Sequence, residues 1–187
     1  MLKYPDFHII FDIEEGMNDM KESQLSQDKR EKGARARSFW IRGYQAQMDG
    51  QVEKAVQFYR ESLQTFPTAE AHTFLGWAYS HQGDLEGAIR ECRKAIAVDP
   101  AFGNPYNDIG AYYIEQEKWA EAVPWLKKAI QSERYEPRHY PHFNLGRVYL
   151  HQGKVQDALD QFQKALDQYP GYFPARQFIT QIEGRFN

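Results

Sequence analysis

Four glycines set the frame of this chain. Gly43, Gly76, Gly110 and Gly146 follow one another at intervals of 33, 34 and 36 residues. Seven residues after each comes a second column, Gly50, Gly83, Glu117 and Gly153. Small residues fill two more columns: Ala55, Ala88, Ala122 and Ala158, then Ser62, Ala95, Ala129 and Ala165. Pro67, Pro100 and Pro170 close three of the four units. A period near 34 with this punctuation is that of a stacked helix–turn–helix unit, which buries its apolar face only against its neighbours.

Ala69 to Pro100 is the most regular unit. It reads as two amphipathic helices joined by the polar turn Ser80-His81-Gln82-Gly83-Asp84. Small residues at the glycine and alanine columns let paired helices approach closely, and large residues fill the gaps between them. The turn glycine is expected to end the first helix at positive φ, with Asp84 capping the second. Asn104-Pro105 reads as a cap followed by proline at the first helical position. Pro124 is expected to kink its helix locally if it lies beyond the first turn.

The long interval falls in SERYEPRHYP, where Pro137 and Pro141 stiffen the junction. Either this is a tolerated loop insertion or it changes the pitch between units three and four. After Pro170, residues 173–184 read as a terminal helix with Phe178 and Ile182 inward and Gln177, Gln181 and Glu183 outward. A polar-backed last helix closes the end of a solenoid.

The columns resemble those of the tetratricopeptide repeat family, whose pattern has Leu-Gly, then Tyr, and later Ala, an aromatic, Ala and Pro. The second unit carries Leu75-Gly76, Tyr79, Ala88, Ala95 and Pro100; the fourth carries Leu145-Gly146, Tyr149, Ala158, Phe162, Ala165 and Pro170. The first departs at Arg42 and Ala46, the third at Glu117 and Arg134. The resemblance implies an all-α, right-handed superhelical solenoid over residues 34–187. Its repeats would span about 36–68, 69–102, 103–138 and 139–171, with the capping helix after them.

Residues 1–33 differ in character. Leu2, Tyr4, Phe7, Ile9, Ile10, Phe11 and Ile13 crowd apolar weight beside Asp6, Asp12, Glu14 and Glu15, and Pro5 argues against one continuous helix. From Gly16 the sequence is polar and charge-mixed, as suits a linker or a solvated helix. The apolar tip has three expected destinations: a cap on its own domain, the groove of its own domain, or a second subunit in a homo-oligomer.

Several function classes are unsupported. A net charge of −3 and a pI of about 6.1 give no field for nucleic acid, and no apolar run is long enough to insert in a membrane. The single cysteine, Cys92, falls on an inward helix face and fits a reducing compartment, so the expected location is cytoplasmic. His139 and His142 lack a nearby third metal ligand, and His81 and His151 are a whole repeat apart. There is no phosphate-cradling glycine loop and no nucleophile elbow. Neither metal, cofactor nor catalytic residue is expected.

What remains is the concave face. Residues one place after the core positions of each first helix line it. These include Arg37, Trp40, Ile41 and Tyr44 in repeat one, and Phe74, Trp77 and His81 in repeat two. Repeat three adds Asn107 and Asp108, and repeat four Phe143, Asn144 and Arg147. The aromatics of the first two repeats are expected either to be covered or to anchor a partner's peptide or helix. Family members that hold the acidic C-termini of heat-shock chaperones place cations in this groove. Here those places hold Trp40, Tyr44, Phe74, Asn104 and Asp108, which argues against that ligand. The expected function is a non-enzymatic adaptor, scaffold or chaperone for a protein or peptide partner, or else an assembly subunit that self-associates through its N-terminal segment.

Overall fold

The computed structural model describes residues 27–186, and these form helices almost throughout. They are α1 (Gln27–Met48), α2 (Val52–Thr65), α3 (Ala69–His81), α4 (Leu85–Val98), α5 (Asn104–Glu115), α6 (Trp119–Gln131), α7 (His139–His151), α8 (Val155–Gln168) and α9 (Phe173–Phe186). Each odd helix packs most extensively on the even helix after it, and each pair then packs on the next. The result is an all-α solenoid of four helix pairs closed by α9. Residues 1–15, and the polar stretch up to Ser26, lie outside the described residues. α1 begins at Gln27 and runs through the last part of the stretch read as a linker or a solvated helix.

The glycine column works as anticipated. A β-carbon on Gly43 would sit 2.6 Å from Tyr59, on Gly110 2.5 Å from Leu126, and on Gly146 2.6 Å from Phe162. On Gly76 it would meet the Ala88 carbonyl at 2.9 Å and Cys92 Sγ at 3.3 Å. Tyr59, Cys92, Leu126 and Phe162 each lie sixteen residues beyond their glycine. Ala55, Ala88, Ala122 and Ala158 are fully buried at the same helix crossings. The apolar clusters straddle successive pairs, so the core runs continuously along the stack.

The turn column is also explained. Gly50, Gly83 and Gly153 take φ of 75°, 82° and 73°, and Glu117 takes 60° in the repeat that lacks the glycine. Only glycine enters this left-handed region without steric cost. Asp84 caps α4, accepting from Gly87 N at 2.7 Å. Thr68 caps α3 in the same way, accepting from Ala71 N at 3.1 Å.

Asn104 is not a cap. The cap position of α5 is Gly103, and Asn104 is already helical, which moves Pro105 one place inward. Two contacts fix this register. Gly103 N donates to Arg134 O at 2.8 Å, and Asn104 Nδ2 donates to Glu136 O at 2.9 Å. Both acceptors belong to the long junction between repeats three and four.

That junction is tied down. Phe102 and Arg134 pair as an isolated β-bridge, and the Arg134 guanidinium lies 4.3 Å from the centre of the Phe102 ring. Its Nη1 donates to Glu70 Oε1 on α3 at 2.7 Å, and its Nη2 pairs with Asp99. The extra residues thus staple repeat three to the start of repeat two. Pro124 lies within α6, where it removes the hydrogen bond to Ala120 O. At the far end Ile182 is buried and Phe178 packs into the terminal cluster, with Gln177, Gln181 and Glu183 exposed.

Candidate binding groove

Helical spacing of three and four residues puts Trp40 and Tyr44 on one face of α1, and Phe74, Trp77 and His81 on one face of α3. The packing of the first two pairs then joins these faces. Trp40 meets Phe74 edge-on, with ring centres 5.1 Å apart, and stacks beside Tyr44 at 6.2 Å. Tyr44 reaches Phe74 at 5.6 Å, Phe74 reaches Trp77 at 5.9 Å, and Trp77 reaches His81 at 5.2 Å. The result is an unbroken line of five rings from α1 across α3.

Trp40, Tyr44 and Trp77 keep only 7, 4 and 6% of their surface, whereas Phe74 is half-buried and His81 sits at the exposed rim. Partial burial holds the His81 imidazole below its ordinary pKa, with Glu115 pulling the other way. Two donors on α1, Trp40 Nε1 and Gln47 Nε2, are buried, and neither has an acceptor among the described residues. Gln47 is fixed through its other end, where Oε1 accepts from Tyr59 OH at 2.9 Å.

The second half of the groove is polar. Arg147 Nη1 donates to Asn144 Oδ1 at 3.3 Å, and Asn144 Nδ2 donates to Asn107 Oδ1 at 3.1 Å. Asn107 Nδ2 in turn donates to Asp108 Oδ1 at 3.4 Å. Asn107, Asp108 and Asn144 are buried, so this line joins α5 and α7 through their inner faces. Burial pulls the Arg147 guanidinium below its usual pKa, against the field of Glu115.

Not every expected groove residue lines the groove alone. Ile41 packs on the core of the first repeat. Phe143 turns toward the end of the solenoid, meeting Phe162, Phe178 and Tyr172 with ring centres 5.2–5.8 Å apart. Arg37 is half-buried on α1, seven residues before Tyr44. One participant was missed. Tyr172, from the turn before α9, stands edge-on to Tyr140 at 5.7 Å, and burial raises its pKa while Arg147 opposes the shift. No first-helix periodicity points to it; its only signal is an aromatic directly after the closing Pro170-Gly171.

Among the described residues no group of three or more His, Cys, Asp or Glu is placed to hold a metal, and no helix is long and apolar enough to cross a membrane. Cys92 is fully buried, and burial pushes its thiol well above the usual pKa, with Asp108 and Glu91 adding to the effect.

Two sequence-family profiles, both described as tetratricopeptide repeat, match residues 69–102 and 102–170. The chain belongs to the tetratricopeptide repeat family. Such a chain is a protein–protein interaction module. It is 32% identical over 118 residues to the type IV pilus assembly protein PilF of Pseudomonas aeruginosa, covering 63% of this chain and 47% of that protein. It is 26% identical over 113 residues to the small glutamine-rich tetratricopeptide repeat-containing protein 2 of Saccharomyces cerevisiae, covering 60% of this chain and 33% of that protein. The chain spans less than half the length of these curated relatives. The solved structure of Pseudomonas aeruginosa PilF superposes with a TM-score of 0.71 at 26% identity, covering 82% of this chain and 77% of that one. MamA superposes with a TM-score of 0.63 at 24% identity, covering 76% and 84%, a likeness of fold.

Proposed function

We propose that this tetratricopeptide repeat protein is a non-enzymatic adaptor that holds a peptide segment of a partner in its concave groove. The observation that carries this reading is the unbroken ring line of the first two repeats, from Trp40 and Tyr44 through Phe74 and Trp77 to His81. A peptide laid across the wall sets its apolar side chains on the rings. Fully desolvated aromatic anchors contribute about 2 kcal/mol or more each on truncation, whereas rim ion pairs contribute less than about 1 kcal/mol. The aromatics therefore set affinity, and Arg147 favours an acid at the far end of the ligand.

The relatives' names, one a pilus assembly protein and one a repeat-containing protein, suit a module that works by holding other proteins. The test is a selection from a random peptide library displayed on phage. Aromatic-rich peptides are expected to be enriched on the wild-type chain and lost on Phe74→Ala/His81→Ala, the half-buried and exposed rings of the line, with far-ultraviolet circular dichroism unchanged. Undiminished enrichment on that variant removes the wall from the reading.

A further inference from the structure

The inner face of a stack of helix pairs is backed and flanked by helices but open in front. Trp40, Tyr44 and Trp77 stand on that face, yet they are buried to 7, 4 and 6% exposure. Such depth on an inner face calls for a length of polypeptide across the first two repeats, with side chains on the rings.

The chain carries a suitable length beside this wall. Residues 16–26 are a polar stretch of sequence between the apolar segment 1–15 and the start of α1 at Gln27. Eleven extended residues reach up to about 40 Å. Trp40 lies only about 20 Å along α1 from Gln27, so the stretch is long enough to turn back over the groove. The segment holds aromatics, Tyr4, Phe7 and Phe11 among them, and four carboxylates against one lysine. At the other end of the groove Arg147 is half-buried, with a hydrogen bond to a neutral amide and no ion pair to a described residue.

We propose that residues 1–15 occupy the concave groove of their own chain, with Phe7 and Phe11 on the Trp40–Trp77 wall and an acid of the segment toward Arg147. An incoming partner must then displace them. This rests on the reading of the groove as a peptide site and adds how that site is kept closed. A segment joined by a short linker is presented at an effective concentration in the millimolar range. Only a ligand that outcompetes this local concentration opens the groove.

Photo-crosslinking of the full chain tests the placement, with p-benzoylphenylalanine in place of Phe7. Adducts are expected at the mass of one chain, mapping to residues 37–48 or 70–81. Adducts on α2, α4, α6 or α8, adducts at twice the chain mass, or no adduct at all overturn the proposal. A fluorescein-labelled synthetic peptide of residues 1–15 separates it from the groove reading. It is expected to bind full-length Phe7→Ser/Phe11→Ser at least tenfold more tightly than the wild-type chain. Equal binding to both, or binding to neither, overturns occupancy by the chain's own segment. Peptide-library selection on full-length Phe7→Ser/Phe11→Ser, with and without Phe74→Ala/His81→Ala, then judges the groove independently of its occupancy.

Discussion

Gly146 and Phe162 are in contact across the fourth helix pair: a β-carbon on the glycine would lie 2.6 Å from the ring. The ring is fully buried, so it has nowhere to retreat. Gly146→Ala is therefore expected to lower stability by about 1–3 kcal/mol, the usual cost of overfilling a packed core. Combining it with Phe162→Leu should recover part of that loss, because the two sites are coupled. Urea melts of both single variants and the double variant measure the coupling.

The turn column predicts opposite signs at equivalent positions. Glu117 holds a φ of 60° that glycine holds in the other three repeats. Glu117→Gly should stabilise the chain by up to about 1 kcal/mol, and Gly83→Ala should destabilise it by about as much. Thermal midpoints of the two variants, read against the wild type, check the pair.

Arg134 bonds two carboxylates and stacks on a ring. Its guanidinium is about one-third exposed, at 37%, so solvent screens part of the interaction. Arg134→Ala is expected to cost about 1–2 kcal/mol after that discount. The wild type should lose part of the difference in 1 M salt, measured by denaturation at both ionic strengths.

His139 gives the fold an acid-sensitive point. It is buried among Tyr140, Tyr169 and Tyr172, and desolvation lowers its pKa to about 4. The unfolded chain takes up this proton near pH 6.5, so the contribution is complete above that value. It is lost as pH falls toward the folded value, by about 2–3 kcal/mol between pH 7.5 and 4.5. His139→Phe should remove this share of the acid destabilisation, with little change at pH 7.5. Urea unfolding at the two pH values tests it.

The repeat frame was legible because each column has a local steric reason: a glycine under a side chain, an alanine at a helix crossing, a cap after a turn. The line of residues sixteen beyond each glycine was equally available, yet Tyr59, Cys92, Leu126 and Phe162 share no chemistry by which to notice it. Trp40, Tyr44, Phe74 and Trp77 were readable as one wall from helical spacing. Their depth was not, since it depends on neighbouring helices and on what lies over them. Asn104 was misplaced because the contacts that set its register come from Arg134 and Glu136, some thirty residues away. The Arg134–Glu70 pair spans 64 residues and leaves no periodic trace.

That pair has a mechanical consequence. Arrays of repeats unravel from their ends, each unit held chiefly by its neighbours. A pull on the C-terminus would peel α9, α8 and α7 in turn and then load the bonds from Arg134 to Glu70 and Asp99. Because the bond to Glu70 reaches back to the first turn of α3, the force bypasses α6 and arrives directly at the helix that carries Phe74 and Trp77. A tension applied at one end of the molecule is thereby delivered to its aromatic wall.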